Sequence, residues 1–165
     1  MNLFILRHGL AVERAASGQD AERPLTRAGK RKLGQIAKAM EALEISFNLI
    51  LASPYTRARQ TAEIVAEAFN ARARLELSNT LTPGGSSKKL IESLRSRQLT
   101  AENILLVGHE PYLSELISLL VAGDSSLCVV MKKGGLCKLS VETLKHGRCA
   151  CLEWLLTPKQ MALMA

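Results

Sequence analysis

The chain has 165 residues, of which 47% are hydrophobic and 22% charged, a balance that excludes intrinsic disorder and favours one domain over residues 1–165. Its 22 Lys and Arg exceed its 15 Asp and Glu by seven, which points to anionic partners, but aromatic residues make up only 4%. That scarcity excludes a single-strand nucleic-acid platform, which needs rings for stacking.

Leu3–Leu6 is a short apolar run that ends in Arg7-His8-Gly9. The chain turns polar too early there for a signal peptide, and no run approaches the roughly 18 apolar residues of a membrane span. The cytoplasm is the default compartment, with no membrane partner. A long connection, Gly9 to Leu25, follows; such lengths often form functional covers. Residues 26–44 read as a helix capped by Thr26, with Leu33, Ile36, Ala37 and Met40 at helical spacing. Leu49–Ala52 reads as a second buried strand. Ser53-Pro54 reads as a cap followed by proline, opening a helix striped by Ala58, Thr61, Ala62, Val65 and Phe69.

After the turn-rich Thr82–Ser86 comes a helix from Ser87 to about Arg97. Ile104–Val107 is a third buried strand, ending in Gly108-His109. Pro111 opens a helix with Leu113, Leu116, Ile117 and Leu120 inward. Gly135 to Leu156 reads as two strands around His146-Gly147. The alternation of strand and crossover helix predicts an α/β fold with a mostly parallel sheet covered on both faces, a three-layer α/β/α sandwich. Cys128, Cys137, Cys149 and Cys151 form no CxxC pair, so they read as reduced core thiols rather than a zinc site.

Three polar clusters share one position in this scheme: Arg7-His8-Gly9, Ser53-Pro54-Tyr55-Thr56-Arg57 and Gly108-His109-Glu110 each follow a strand's carboxyl end. In a parallel sheet those ends converge on one rim, where ligands bind. Two imidazoles, two guanidiniums and helix N-termini make a phosphate site in physical terms. A neutral imidazole attacks phosphorus, and cations stabilise the equatorial oxygens. Arg59 reads as a solvated partner of a nearby carboxylate, and Gln60 as a satisfier of local backbone.

The motifs LRHG, SPYTRARQT and GHEP resemble the histidine phosphatase superfamily, and RPLTRAGKRK with the short length resembles its SixA-type phosphohistidine phosphatase branch. The resemblance implies a phosphoglycerate mutase-like fold, with His8 as the nucleophile and Arg7, Arg57 and His109 as the phosphoryl-binding groups. It implies no metal or other cofactor, since the arginines supply the charge. Gly9, where a missing Cβ permits close backbone approach, Arg23, beside the long connection, and Ser53 are the candidate substrate-binding residues. Superfamily members that cleave esters often carry an acid after the second motif's helix; Ser78–Pro83 has none. An imidazole leaves more easily than an alkoxide, so the gap favours N–P over O–P substrates, unless Glu13, Asp20, Glu22 or Glu110 donates from elsewhere.

The expected activity is hydrolysis of phosphohistidine on a signalling or phosphocarrier protein through a phosphorylated His8, by a monomer. A small-molecule phosphomonoesterase and a non-catalytic phosphate-binding module are the alternatives; nucleic-acid binding is a poor fourth. Attack by neutral His8 predicts activity falling below about pH 6.5.

Overall fold

A computed structural model describes residues 1–13, 19–97 and 103–165; residues 14–18 of the long connection lie outside it. Strand β1 (Asn2–Arg7) has four successive buried residues because both sides of the sheet are covered. Leu3 and Ile5 enter one core and Phe4 and Leu6 the other. The same alternation holds in β2 (Leu49–Ala52) and in β4 (Asn103–Gly108), where Ile104 and Leu106 face one way, Leu105 and Val107 the other. Each such side chain contributes about 1.5–3 kcal/mol on burial.

The six strands lie in the order β3-β2-β4-β1-β5-β6. The first four are parallel, and β5 (Leu136–Val141) and β6 (Ala150–Leu156) extend the sheet antiparallel. Helices α1 (Arg27–Ala42), α2 (Thr56–Ala68) and α5 (Pro158–Met161) cover one face through Leu33, Met40, Ala62, Val65 and Met161. Helices α3 (Ser87–Ser96) and α4 (Tyr112–Ala122) cover the other through Leu90, Leu94, Leu113 and Leu116. This is the three-layer α/β fold expected. Thr26 caps α1 by accepting from the Gly29 amide, as its position foretold.

Three details differ from the sequence reading. Helix α2 begins at Thr56, flanked by Tyr55, so Ser53 does not cap it. Strand β3 (Leu75–Leu77) was not foreseen; it is a three-residue edge interrupted by Glu76, with Leu77 half exposed. Of the four cysteines only Cys137 is a core thiol, while Cys128 and Cys151 are exposed and Cys149 is half-buried. No helix among the described residues is long and apolar enough to cross a membrane.

Candidate active site

The sheet register brings the three polar clusters together. Arg7 lies opposite Gly108, the His8 amide donates to the Gly108 carbonyl at 3.1 Å, and the Ser53 amide donates to the Val107 carbonyl at 2.9 Å. The imidazoles of His8 and His109 consequently sit with ring centroids 5.0 Å apart. Arg57 occupies the first turn of α2 and reaches back, its Nε donating to His8 Nε2 at 3.2 Å. Arg7 leaves β1 on the same rim and its Nη1 donates to the Met131 carbonyl at 2.7 Å. The Tyr55 ring lies 5.2 Å from His109 and beneath the Arg57 guanidinium. All four predicted core residues therefore share one rim.

Hydrogen bonds fix the protonation of both imidazoles. His8 Nδ1 is 2.7 Å from the Gly9 carbonyl, which only accepts, so Nδ1 carries the proton and Nε2 keeps a lone pair. Burial, then Arg57, Arg7 and Lys133, push the His8 pKa down to about 4 against the Gly9 bond, which acts the other way. His8 is therefore neutral well below pH 6.5, and the acid limb expected there moves down. His109 Nε2 lies 2.8 Å from Ser53 Oγ, which itself accepts from the Tyr55 amide. His109 Nε2 is the acceptor the Ser53 hydroxyl proton has among the described residues, and giving it that proton assigns the proton of neutral His109 to Nδ1. Burial foremost, then His8, Arg57 and Arg7, push His109 down to about 3, with Asp20 acting the other way. Burial also lowers the Arg7 pKa, opposed by Glu110.

Two nitrogens of this rim are unspent: Arg7 Nε and His109 Nδ1 are buried without a hydrogen-bond partner among the described residues, a condition shared only with the Tyr112 hydroxyl. A buried donor without a partner costs about 1–3 kcal/mol, so two on one rim call for an acceptor from outside.

The remaining candidates take other places. Ser53 is completely buried and its hydroxyl is committed to His109, so it supports that ring instead of facing a ligand. Gly9 gives its amide to Thr61 Oγ1 at 3.1 Å, and a Cβ there would press on the side chains of Leu33 and Leu25. Arg23 donates from Nε to the Val12 carbonyl and from Nη1 to Asp20, and touches none of the four core residues directly. Gln60 accepts from the Leu25 amide and Thr61 donates to the Arg57 carbonyl, so the second motif stitches the cover's end and β1 to α2. Arg59 faces solvent near Glu63.

Asp20 was underweighted in the sequence. Its carboxylate accepts from Arg57 Nη2 at 2.9 Å and from Arg23 at 2.8 Å, and its carbonyl accepts from Arg57 Nη1 at 2.7 Å. Hydrogen bonds from Arg23, then Arg57, hold this carboxyl below its ordinary range, so it is ionised. Of the four acids named as alternative donors, Asp20 is the one that hydrogen-bonds a core residue; Glu110 accepts from the Ser114 amide. Ser78–Pro83, where an acid was sought, is a turn closed by Ser78 and Thr80. The sequence reading also missed the turn at residues 132–135, whose Gly134 amide donates to the carbonyls of Arg7 and His8. Gly134 has φ +79°, and the adjoining pair Gly134-Gly135 was the available signal.

Comparison with known proteins agrees with this geometry. Residues 3–82 match the family "Histidine phosphatase superfamily (branch 1)". The chain is 34% identical to an uncharacterized protein of Picosynechococcus sp. over 82% of each chain. It is 33% identical to the phosphohistidine phosphatase SixA of Escherichia coli strain K12, over 76% of this chain and 77% of that one. A solved structure of the protein histidine phosphatase SixA complexed with tungstate superposes with a TM-score of 0.83 at 26% identity, covering 96% of this chain and 98% of that chain. With these likenesses and two histidines and two arginines on one rim, the chain belongs to the histidine phosphatase superfamily and is a hydrolase.

Proposed function

We propose that this hydrolase removes the phosphoryl group from phosphohistidine on a protein, through a phosphorylated His8. The observation that carries the reading is a neutral, Nδ1-protonated His8 whose Nε2 lone pair lies beside Arg57 and two unspent buried nitrogens. Likeness to relatives named phosphohistidine phosphatase supports the substrate class.

Arg57 Nε passes its N–H from His8 Nε2 to a phosphoryl oxygen, and the freed Nε2 lone pair attacks phosphorus while the N–P bond of the substrate breaks. The substrate imidazole, protonated on its other nitrogen, leaves as neutral imidazole. Arg57, Arg7 and the Nδ1–H of His109 hold the phosphoryl oxygens as charge redistributes. Water then attacks the phosphorylated His8, the second N–P bond breaks, and the water protons leave on inorganic phosphate. Ser53 positions His109 by fixing its tautomer. Ionised Asp20 is no proton donor as it stands, and an imidazole leaving group needs none, which favours N–P over ester cleavage.

Turnover measured side by side on a phosphohistidine protein and on sugar phosphates tests the reading, with His8→Ala as control. Faster turnover of the phosphohistidine protein, lost in the variant, is expected. Preference for the esters would assign the pocket to a phosphomonoesterase instead, and tight phosphate binding with no turnover to a binding module.

A further inference from the structure

Next to His8 a groove of about 390 Å³ runs between α1 and the turn at residues 132–135, starting at Gly9 and Leu10. Arg31 and Lys32 on α1 line one wall and Lys133 the other, and no carboxylate lines it. These three cations are exposed, and none enters an ion pair among the described residues. Leu10, 44% exposed, stands where the groove meets the catalytic rim.

The walls are held to the catalytic strand. Gly134 bonds the carbonyls of Arg7 and His8, which sets Lys133 near enough for its charge to act on His8. Gly29 of α1 lies so close to the Leu10 carbonyl that a Cβ would collide with it, and the Thr26 amide donates to the same carbonyl at 2.9 Å. The backbone that carries these cations thus stands in a fixed relation to the nucleophile.

We infer that this groove docks an acidic segment flanking the phosphohistidine of the protein substrate, its carboxylates meeting Arg31, Lys32 and Lys133 while an apolar side chain covers Leu10. The inference rests on the phosphohistidine reading of the site. Charge complementarity selects the occupant: three unpaired cations, no acid, and a volume suited to side chains. A groove of this size does not admit a duplex, and no exposed aromatic lines it to stack a base.

The test uses three substrates: free phosphohistidine, and two peptides carrying one phosphohistidine flanked by glutamates or by lysines. The wild-type chain is expected to favour the glutamate peptide by about tenfold in kcat/KM at low salt, with the preference shrinking as salt rises. In Arg31→Glu with Lys32→Glu the preference should vanish or reverse, while kcat/KM on free phosphohistidine stays unchanged. Equal turnover of the two peptides by the wild-type chain, or a preference that survives the double variant, overturns the groove alone. An equal fall on all three substrates overturns it too, because the variant then acts on the site itself. Stronger inhibition of the glutamate peptide by an oligonucleotide or phosphatidylglycerol vesicles than by unphosphorylated glutamate peptide would reassign the groove and overturn it. No turnover of any of the three substrates by the wild-type chain sinks the reading of the site, and the groove with it.

Discussion

The two ends of the sheet contrast sharply. At the end where β1 begins and β5 finishes, a hollow of about 670 Å³ is lined by Met1, Ser140, Val141, Lys145, Cys149 and Cys151. There the Met1 amine donates to the Val141 carbonyl and the Cys149 thiol to the Lys145 carbonyl. At the other end two imidazoles, two guanidiniums and two unspent nitrogens meet. Parallel β1, β2 and β4 each deliver their polar residue to the same rim, followed by a loop or helix start, while the opposite end receives none of these clusters. Reactive capacity follows strand direction here.

Breaking the reactive end should have the largest effect. His8→Ala is expected to lower kcat on phosphohistidine by about 10⁴-fold or more, read by phosphate release, because the attacking nitrogen is gone. A fall of less than tenfold would remove covalent catalysis by this residue.

The same end should make stability depend on pH. His8 and His109 have folded pKa values of about 4 and about 3, below the unfolded value. Their contribution is complete above about pH 6.5 and is lost as pH falls through the interval down to the folded values, since the unfolded chain binds protons first. Each is expected to cost on the order of 3 kcal/mol between pH 7.5 and pH 4. Urea midpoints across that range measure it, and double replacement of the histidines by Gln should flatten the profile. A wild-type midpoint independent of pH would show that the rings are not held neutral by burial.

Smaller changes sharpen the contrast. Ser53→Ala should lower kcat about tenfold with KM little changed, and nitrogen NMR should show His109 no longer restricted to the Nδ1–H tautomer. An unchanged tautomer would deny Ser53 a positioning role. Asp20 competes with phosphate for Arg57, so Asp20→Asn should tighten product inhibition by phosphate by about threefold to tenfold. Weaker inhibition would mean that Asp20 holds Arg57 ready for the phosphoryl group. At the opposite end, Cys149→Ser is expected to leave kcat unchanged and stability within about 0.5 kcal/mol; a lost activity there would erase the distinction between the ends.

Much of the rim was legible because each of its parts follows a short buried strand. Leu3–Leu6, Leu49–Ala52 and Ile104–Val107 announce themselves by four apolar residues each, and the polar residue after each run inherits its place. What the sequence hid depends on long-range contact. Asp20 reaches Arg57 only after the connection folds back, its ends paired at Ala11 and Leu25. Ser53 looked like a cap because a serine before proline fits one locally, whereas the hydroxyl is committed to His109, 56 residues away. Gly134 rivets its turn to β1 across 126 residues or more. The burial that lowers His8 likewise belongs to the assembled rim and to no single motif.

Covalent catalysis by His8 is tested most directly by rapid quench with labelled phosphohistidine, followed by mapping of the labelled peptide. An acid-labile, alkali-stable phosphoryl group on His8 Nε2, formed and consumed at the rate of turnover, is expected. Full turnover with no labelled chain, or with label on another residue, would contradict it.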